Sequence, residues 1–257
     1  MFITHGNTKL FATAFGSKHA PVILALGGWI GSWEDWLEPL SILSQDWRVL
    51  AYDHRGSGIT ISPVGEITFD QLVEDVFLVL DAYEVEHCVL AAMSMGALIA
   101  LGAALRNHQR ISGLVLVDSI DMRERPANPN DMFLMGLEHD YPRTLEGFIQ
   151  ACVPEQGSEH LKAWGRHILN RATPEAAIAL YNLPRMTNLR GDLVNIKQPT
   201  LIIHGDVDSI APLDSAQWLA TQLPNSELRI INGAGHVPIL TRPDVVAAHI
   251  QQFFSQK

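Results

Sequence analysis

Three residues of the types needed to attack a carbonyl each follow an apolar, strand-like run. Ser94 lies in Val89-Leu-Ala-Ala-Met-Ser94-Met-Gly96-Ala-Leu-Ile, between a strand-like and a helix-like stretch, with neighbours small enough for a tight turn. A strained strand-to-helix turn of this kind lifts a serine hydroxyl above a sheet edge; a serine that merely caps the following helix is the plainer reading of the same residues. Asp208 closes Pro199-Thr-Leu-Ile-Ile-His-Gly-Asp-Val-Asp208, and His236 ends the loop Gly233-Ala-Gly-His236 that follows Leu228-Arg-Ile-Ile. A serine hydroxyl is too weak an acid to be nucleophilic unaided. It needs an imidazole to take its proton and a carboxylate to orient that imidazole. Asp118, at the end of another apolar run, and Asp206 are rivals for the carboxylate, and Asp208 fits the loop pattern better.

The elements that must present these loops alternate. Thr8 to Ala14, Val22 to Leu26, Trp47 to Tyr52, Cys88 to Ala91 and Ile111 to Val117 read as strands, as do the runs before Asp208 and His236. Continuous apolar runs such as Val22-Ile-Leu-Ala-Leu26 suit strands buried on both faces. Helices are expected over Trp33 to Leu43, Met95 to Asn107, Asp214 to Leu223 and Pro243 to Phe254. Thr68 to Tyr83 has apolar residues at 69, 72, 73, 76, 79, 80 and 83, which is helical spacing behind a capping threonine. Such alternation predicts a mostly parallel sheet with right-handed crossovers, and α/β sheets place ligands at their strands' C-terminal ends.

Between Ser119 and Asn195 the alternation stops. The segment has no convincing strand and carries Pro126, Pro129, Pro142, Pro154, Pro174 and Pro184, with helical stretches near 130–138, 145–152, 159–170 and 174–181. It reads as a helical cap, 119–195, inserted into a core made of 1–118 and 196–257. Its inner face, drawn from Phe133, Leu134, Leu137, Phe148, Trp164 and Tyr181, would shape a pocket.

The chain resembles the α/β-hydrolase superfamily over about residues 20–118 and 198–254. The resemblance rests on Ala92-Met-Ser94-Met-Gly96, His204-Gly-Asp-Val-Asp208, Gly233-Ala-Gly-His236, Gly27-Gly28-Trp29-Ile-Gly31-Ser32 and Asp53-His-Arg55-Gly-Ser-Gly58. Ala92 stands where the family usually has glycine, and Gly27 where many members have histidine. The resemblance implies a mostly parallel eight-stranded sheet flanked by helices, with Ser94, Asp208 and His236 catalytic. It also implies an oxyanion hole from the Trp29 and Met95 backbone N–H groups. Gly27 and Gly28 let the backbone aim the first of these. Gly28, Trp29, Phe133, Leu137 and Trp164 are the expected substrate contacts. Asp53 and Arg55 are expected to form a structural salt bridge.

The reaction this implies is acyl transfer to water: a carboxylic ester of small to medium acyl size is cleaved through an acyl-enzyme, with no cofactor and no metal. Lactones, thioesters, carbon–carbon bonds of β-diketone type and perhydrolysis suit the same triad, and a slow-turnover ligand receptor is the reading from another class. The Gly-Gly-Trp loop and short cap are similar to the pimeloyl-carrier-protein methyl esterases. That similarity implies an acyl carrier protein as possible partner, with Lys162, Arg166 and Arg171 sharing part of a helix face.

Composition sets bounds. The 257 residues are 47% hydrophobic, enough for one large core, and the net charge of −10 argues against nucleic acid or an anionic membrane as partner. No apolar stretch reaches transmembrane length, and Met1-Phe-Ile-Thr-His-Gly lacks signal-peptide character. Cys88 and Cys152 are the only cysteines, so the expected location is the reducing cytoplasm.

Overall fold

The computed structural model describes residues 1–123, 128 and 130–255. Eight strands form one sheet: β1 (Phe2–His5), β2 (Thr8–Phe15), β3 (Val22–Leu26), β4 (Arg48–Tyr52), β5 (Cys88–Met93), β6 (Ile111–Val117), β7 (Thr200–Gly205) and β8 (Ser226–Ile231). Their order is β1-β2-β4-β3-β5-β6-β7-β8. β1 and β2 pair antiparallel, β2 pairs antiparallel with β4, and every later pairing is parallel. β1 has no counterpart in the sequence reading. It is four residues long and mostly exposed, so neither an apolar run nor an alternation marks it.

The two-residue period of the central strands divides the core. Leu24, Leu26, Leu50, Tyr52, Leu90 and Ala92 belong to one buried cluster, and Ile23, Ala25, Val49, Ala51, Val89, Ala91 and Met93 to the other. Helices α2 (Phe69–Ala82) and α3 (Gly96–Arg106) cover the first face. The other face is covered by α1 (Leu37–Leu43) and by α10 (Pro243–Phe254), through Val246, Ala247, Ile250 and Phe253. Thr68 caps α2 by accepting from the Gln71 N–H. Helix α8 (Leu213–Gln222) packs against β7 and β8, and the one-turn α9 (Pro238–Thr241) follows the His236 loop. Each strand buried on both faces ends its C-terminus at one rim, and that rim carries the candidate chemistry.

Among the described residues, four α-helices are inserted between β6 and β7: α4 (Met132–His139), α5 (Tyr141–Cys152), α6 (Glu159–Leu169) and α7 (Pro174–Met186). Helix α5 begins four residues earlier than the sequence pattern suggests. Asp140 caps it by accepting from the Arg143 N–H at 3.3 Å, with Pro142 in the first turn, where its missing N–H costs nothing. α7 runs past Tyr181 through Pro184, which falls close enough to the helix end to be tolerated. Pro126 and Pro129 lie outside the described residues. No helix among the described residues is long and apolar enough to cross a membrane.

Asp53 and Arg55 do not pair with one another. Asp53 spends one oxygen on the Trp33 N–H (2.8 Å) and the other on the Ile59 N–H (2.9 Å). The fully buried Arg55 guanidinium instead grips Asp75 on α2 with two bonds of 2.7 and 2.8 Å, and reaches Glu66 and the Thr8 hydroxyl. The Arg55 turn is thereby tied to the helix beneath it.

Candidate active site

Ser94 sits in the turn between β5 and α3 with φ of +51°, a left-handed conformation that costs a non-glycine residue free energy. Its neighbours explain how the turn is held. The Ser94 N–H donates to the Val117 carbonyl of the adjacent strand at 2.9 Å. A Cβ on Gly96 would stand 2.5 Å from the Gly27 carbonyl oxygen, so only glycine lets the helix start pack so closely on the loop after β3. A Cβ on Gly28 would lie 2.9 Å from the Met93 side chain and 3.2 Å from the Ser94 Cβ. The Gly27-Gly28-Trp29 loop is thus pressed against the serine turn, and the Met95 and Trp29 amides donate to no acceptor among the described residues.

From Ser94 a continuous relay runs inward. The Ser94 Oγ lies 2.8 Å from His236 Nε2, and His236 Nδ1 lies 2.7 Å from Asp208 Oδ2. The carboxylate can only accept, so the proton belongs on Nδ1, which leaves Nε2 free to take the serine proton. The other Asp208 oxygen accepts from the Ile210 and Ala211 N–H groups at 2.8 and 3.0 Å. Burial alone would raise the Asp208 carboxyl, but the hydrogen bonds from His236, Ala211 and Ile210 outweigh it and hold the group below its ordinary value. All three side chains are buried, so their interaction is little screened by water.

Asp118 is behind this relay. One of its oxygens accepts from the Gly205 N–H at 2.9 Å and the other has no partner among the described residues. It does not touch His236. Burial, reinforced by the like charge of Asp208, pushes its carboxyl well above the ordinary range. His204 Nδ1 stands 3.3 Å from Asp118, while its Nε2 donates to the Ala211 carbonyl and fastens the Asp208 loop. Asp206 accepts from the Gly233 N–H at 2.6 Å and ties the acid loop to the histidine loop. Asp118, His204 and Asp208 each bring one ligand atom within 4.8 Å of the others.

The inserted segment is stapled to the same loops at the C-terminal end of α5 and just beyond it. The Cys152 carbonyl accepts from the His236 N–H at 3.0 Å, Glu155 accepts from the Gly235 N–H at 3.0 Å, and the Ala151 carbonyl accepts from the Ser209 hydroxyl at 3.2 Å. No sequence signal marks these bonds.

Two cavities open at Ser94. A small, mostly apolar one of about 50 Å³ is bounded by Gly28, Met93, Val153, Leu169, His236 and Leu240, among others. The other is a groove of about 890 Å³ that runs out past Phe133, Tyr181, Arg185 and Asn188. Trp29 divides them. Its Nε1 donates to the Ala177 carbonyl at 2.7 Å, and Phe133, Phe148 and Tyr181 meet its ring edge to face. Of the expected contacts, Gly28, Trp29 and Phe133 line these cavities. Leu137 and Trp164 do not. Leu137 is buried in the core cluster under α4, and Trp164 turns outward to stack on His167.

A family model described as "Serine aminopeptidase, S33" matches residues 40–241. The chain belongs to this family of α/β-hydrolases. The pimeloyl-[acyl-carrier protein] methyl ester esterase of Nitrosospira multiformis is 28% identical to this hydrolase, over 96% of this chain and 99% of that one. Two solved structures share the fold at a TM-score of 0.90: an enol-lactonase from Burkholderia xenovorans, 22% identical over 99% of this chain and 100% of that one, and a bromoperoxidase from Bacillus anthracis, 21% identical over 96% of each. The α/β-hydrolase fold, with its eight-stranded sheet, is therefore established independently of the site.

Proposed function

We propose that this hydrolase cleaves a carboxylic ester through an acyl-enzyme, with Ser94 as nucleophile, His236 as general base and acid, and Asp208 as the orienting carboxylate. The unbroken Ser94–His236–Asp208 relay carries the reading. As Ser94 Oγ attacks the carbonyl carbon, its proton moves to His236 Nε2, and Asp208 stabilises the imidazolium. The Trp29 and Met95 amides, lacking acceptors of their own, serve the oxyanion. One such donor is typically worth about 100- to 1,000-fold in rate. The imidazolium protonates the departing alcohol, and the neutral imidazole then draws a proton from water to release the acid.

The two cavities supply room for the two halves of the ester, a short one in the small pocket and a longer one in the groove. Curated relatives named for a methyl ester on an acyl carrier protein favour a carrier-linked substrate as the second reading. Against it, the basic cap residues that would dock an acidic carrier are each ion-paired: Lys162 with Glu159, Arg166 with Glu146, Arg171 with Glu34. We therefore place free small-molecule esters first. Two buried, unpaired cysteines fit a cytoplasmic enzyme.

The test is a fluorophosphonate probe with mass mapping of the adduct, followed by turnover of p-nitrophenyl esters of increasing chain length. Labelling at Ser94 that disappears in His236→Ala is expected, with turnover falling by several orders of magnitude in Ser94→Ala. A Ser94→Ala variant that keeps more than about a tenth of the activity would move the nucleophile elsewhere. Labelling without appreciable turnover would favour a ligand receptor. Carrier-linked esters turned over far faster than free ones would reverse the order of substrates.

A further inference from the structure

Apart from Ser94 and His236 at its mouth, the small pocket has apolar walls with one exception. Asp35 lines it, and its side chain is 7% exposed. One of its oxygens, Oδ2, accepts from the Ser32 N–H at 2.9 Å and caps the short helix that begins at Trp33. The other oxygen, Oδ1, has no hydrogen-bond partner among the described residues. Capping explains only half of this carboxyl: Ser32 is the N-cap, and as the third residue of the capping box Asp35 needs a single oxygen to reach back to the Ser32 N–H. A carboxylate oxygen left unpartnered in an apolar pocket is costly unless something that enters the pocket satisfies it.

The pocket's size narrows what that visitor is. At about 10–15 Å³ for each water-sized site, 50 Å³ holds about three to five non-hydrogen atoms. It opens at Ser94 and His236, so whatever fills it is joined to the reacting carbonyl. Burial raises the Asp35 carboxyl from 3.8 to about 7, with the nearby charges of Asp53 and Glu34 adding to the rise and the Ser32 bond opposing it. A hydrogen-bond donor delivered to the free oxygen would relieve that burial.

We propose that Asp35 is a specificity-determining residue: the small pocket takes the short half of an ester whose end carries an O–H or N–H donor, which Asp35 accepts. The inference rests on the ester-hydrolase reading above and goes beyond it by naming the group recognised. Recognition by a buried hydrogen-bonding group discriminates strongly, because the analogue that lacks the donor leaves the acceptor desolvated and unpaired.

The experiment compares isosteric pairs in which a terminal methyl is exchanged for hydroxyl or amine. Propyl, 2-hydroxyethyl and 2-aminoethyl esters test one half of the substrate, and butanoyl, 3-hydroxypropanoyl and 3-aminopropanoyl esters the other. The readout is the kcat/KM ratio of donor-bearing to plain ester in the wild type, divided by the same ratio in Asp35→Leu, which cancels intrinsic reactivity. We expect at least about a tenfold quotient for one half of the ester. Asp35→Asn keeps an acceptor and the cap, so it should retain part of the preference and guards against a folding defect in the leucine variant. Fluorophosphonate labelling of Ser94 checks that both variants keep an assembled site. A quotient near one in both halves, with plain esters hydrolysed, leaves Asp35 a helix cap only and overturns the proposal. If the wild type hydrolyses no ester of either set, the ester reading falls and the subsite with it.

Discussion

Replacing Asp35 by asparagine should stabilise the protein in a pH-dependent way, and the size of the effect follows from the carboxyl's surroundings. The group is raised from 3.8 to about 7 in the folded state, first by burial and then by Asp53 and Glu34. Between those two values the folded chain holds a proton that the unfolded chain has released. Stability contributed by the protonated carboxyl is therefore complete below about pH 3.8, declines as pH rises, and is gone above about 7. At about 1.4 kcal/mol per tenfold change in proton affinity the full loss is about 4 kcal/mol. Asparagine keeps an oxygen for the Ser32 N–H and does not titrate. Urea unfolding of both proteins at several pH values, with common m-values, reads the difference directly. Relative to wild type, Asp35→Asn should gain about 3 kcal/mol between pH 5 and pH 8 and then level off. Stability curves that stay parallel over this range would mean that Asp35 titrates as an ordinary carboxyl despite its burial.

Asp208→Asn should lower kcat/KM by up to about 10,000-fold through loss of imidazole orientation, whereas Asp118→Asn, which touches Gly205 and not His236, should cost far less; steady-state ester kinetics decide, and the reverse ranking would relocate the acid. Asp75→Ala strands the buried Arg55 guanidinium and should destabilise the fold by about 3–5 kcal/mol in chemical denaturation; a loss below about 1 kcal/mol would mean that Glu66 and Thr8 suffice. Gly96→Ala brings a methyl to 2.5 Å from the Gly27 carbonyl and should reduce both fluorophosphonate labelling and turnover, while a variant labelled at the wild-type rate would show that the turn can shift freely.

Seven of the eight strands are legible in the sequence: β3 to β7 because burial on both sheet faces demands continuous apolar runs, and the part-buried β2 and β8 through shorter apolar stretches. β1 escapes because an exposed edge strand of four residues makes no such demand. Ser94, Asp208 and His236 are legible for another reason: each must follow a strand directly, and short glycine-bearing loops announce that. What stays hidden depends on which way a side chain faces. Leu137 and Trp164 have the composition of a pocket wall, but one is turned into the core and the other toward His167. Asp35 reads as an ordinary acidic residue at a helix start until its burial is known. The Arg55 partner lies twenty residues away on α2, where Asp75 interrupts an apolar helical face. That interruption was the available clue.

The bonds around the C-terminal end of α5 have a consequence for anyone who would exchange substrate specificities by swapping the inserted helices between relatives. A graft cut at 119 and 195 looks natural from connectivity, yet it would replace Ala151, Cys152 and Glu155, which hold the Ser209 hydroxyl and the backbone N–H groups of Gly235 and His236. Such a chimera would inherit a foreign cradle for its own histidine loop. A better splice keeps residues 151–155 with the core and exchanges the helices on either side of them.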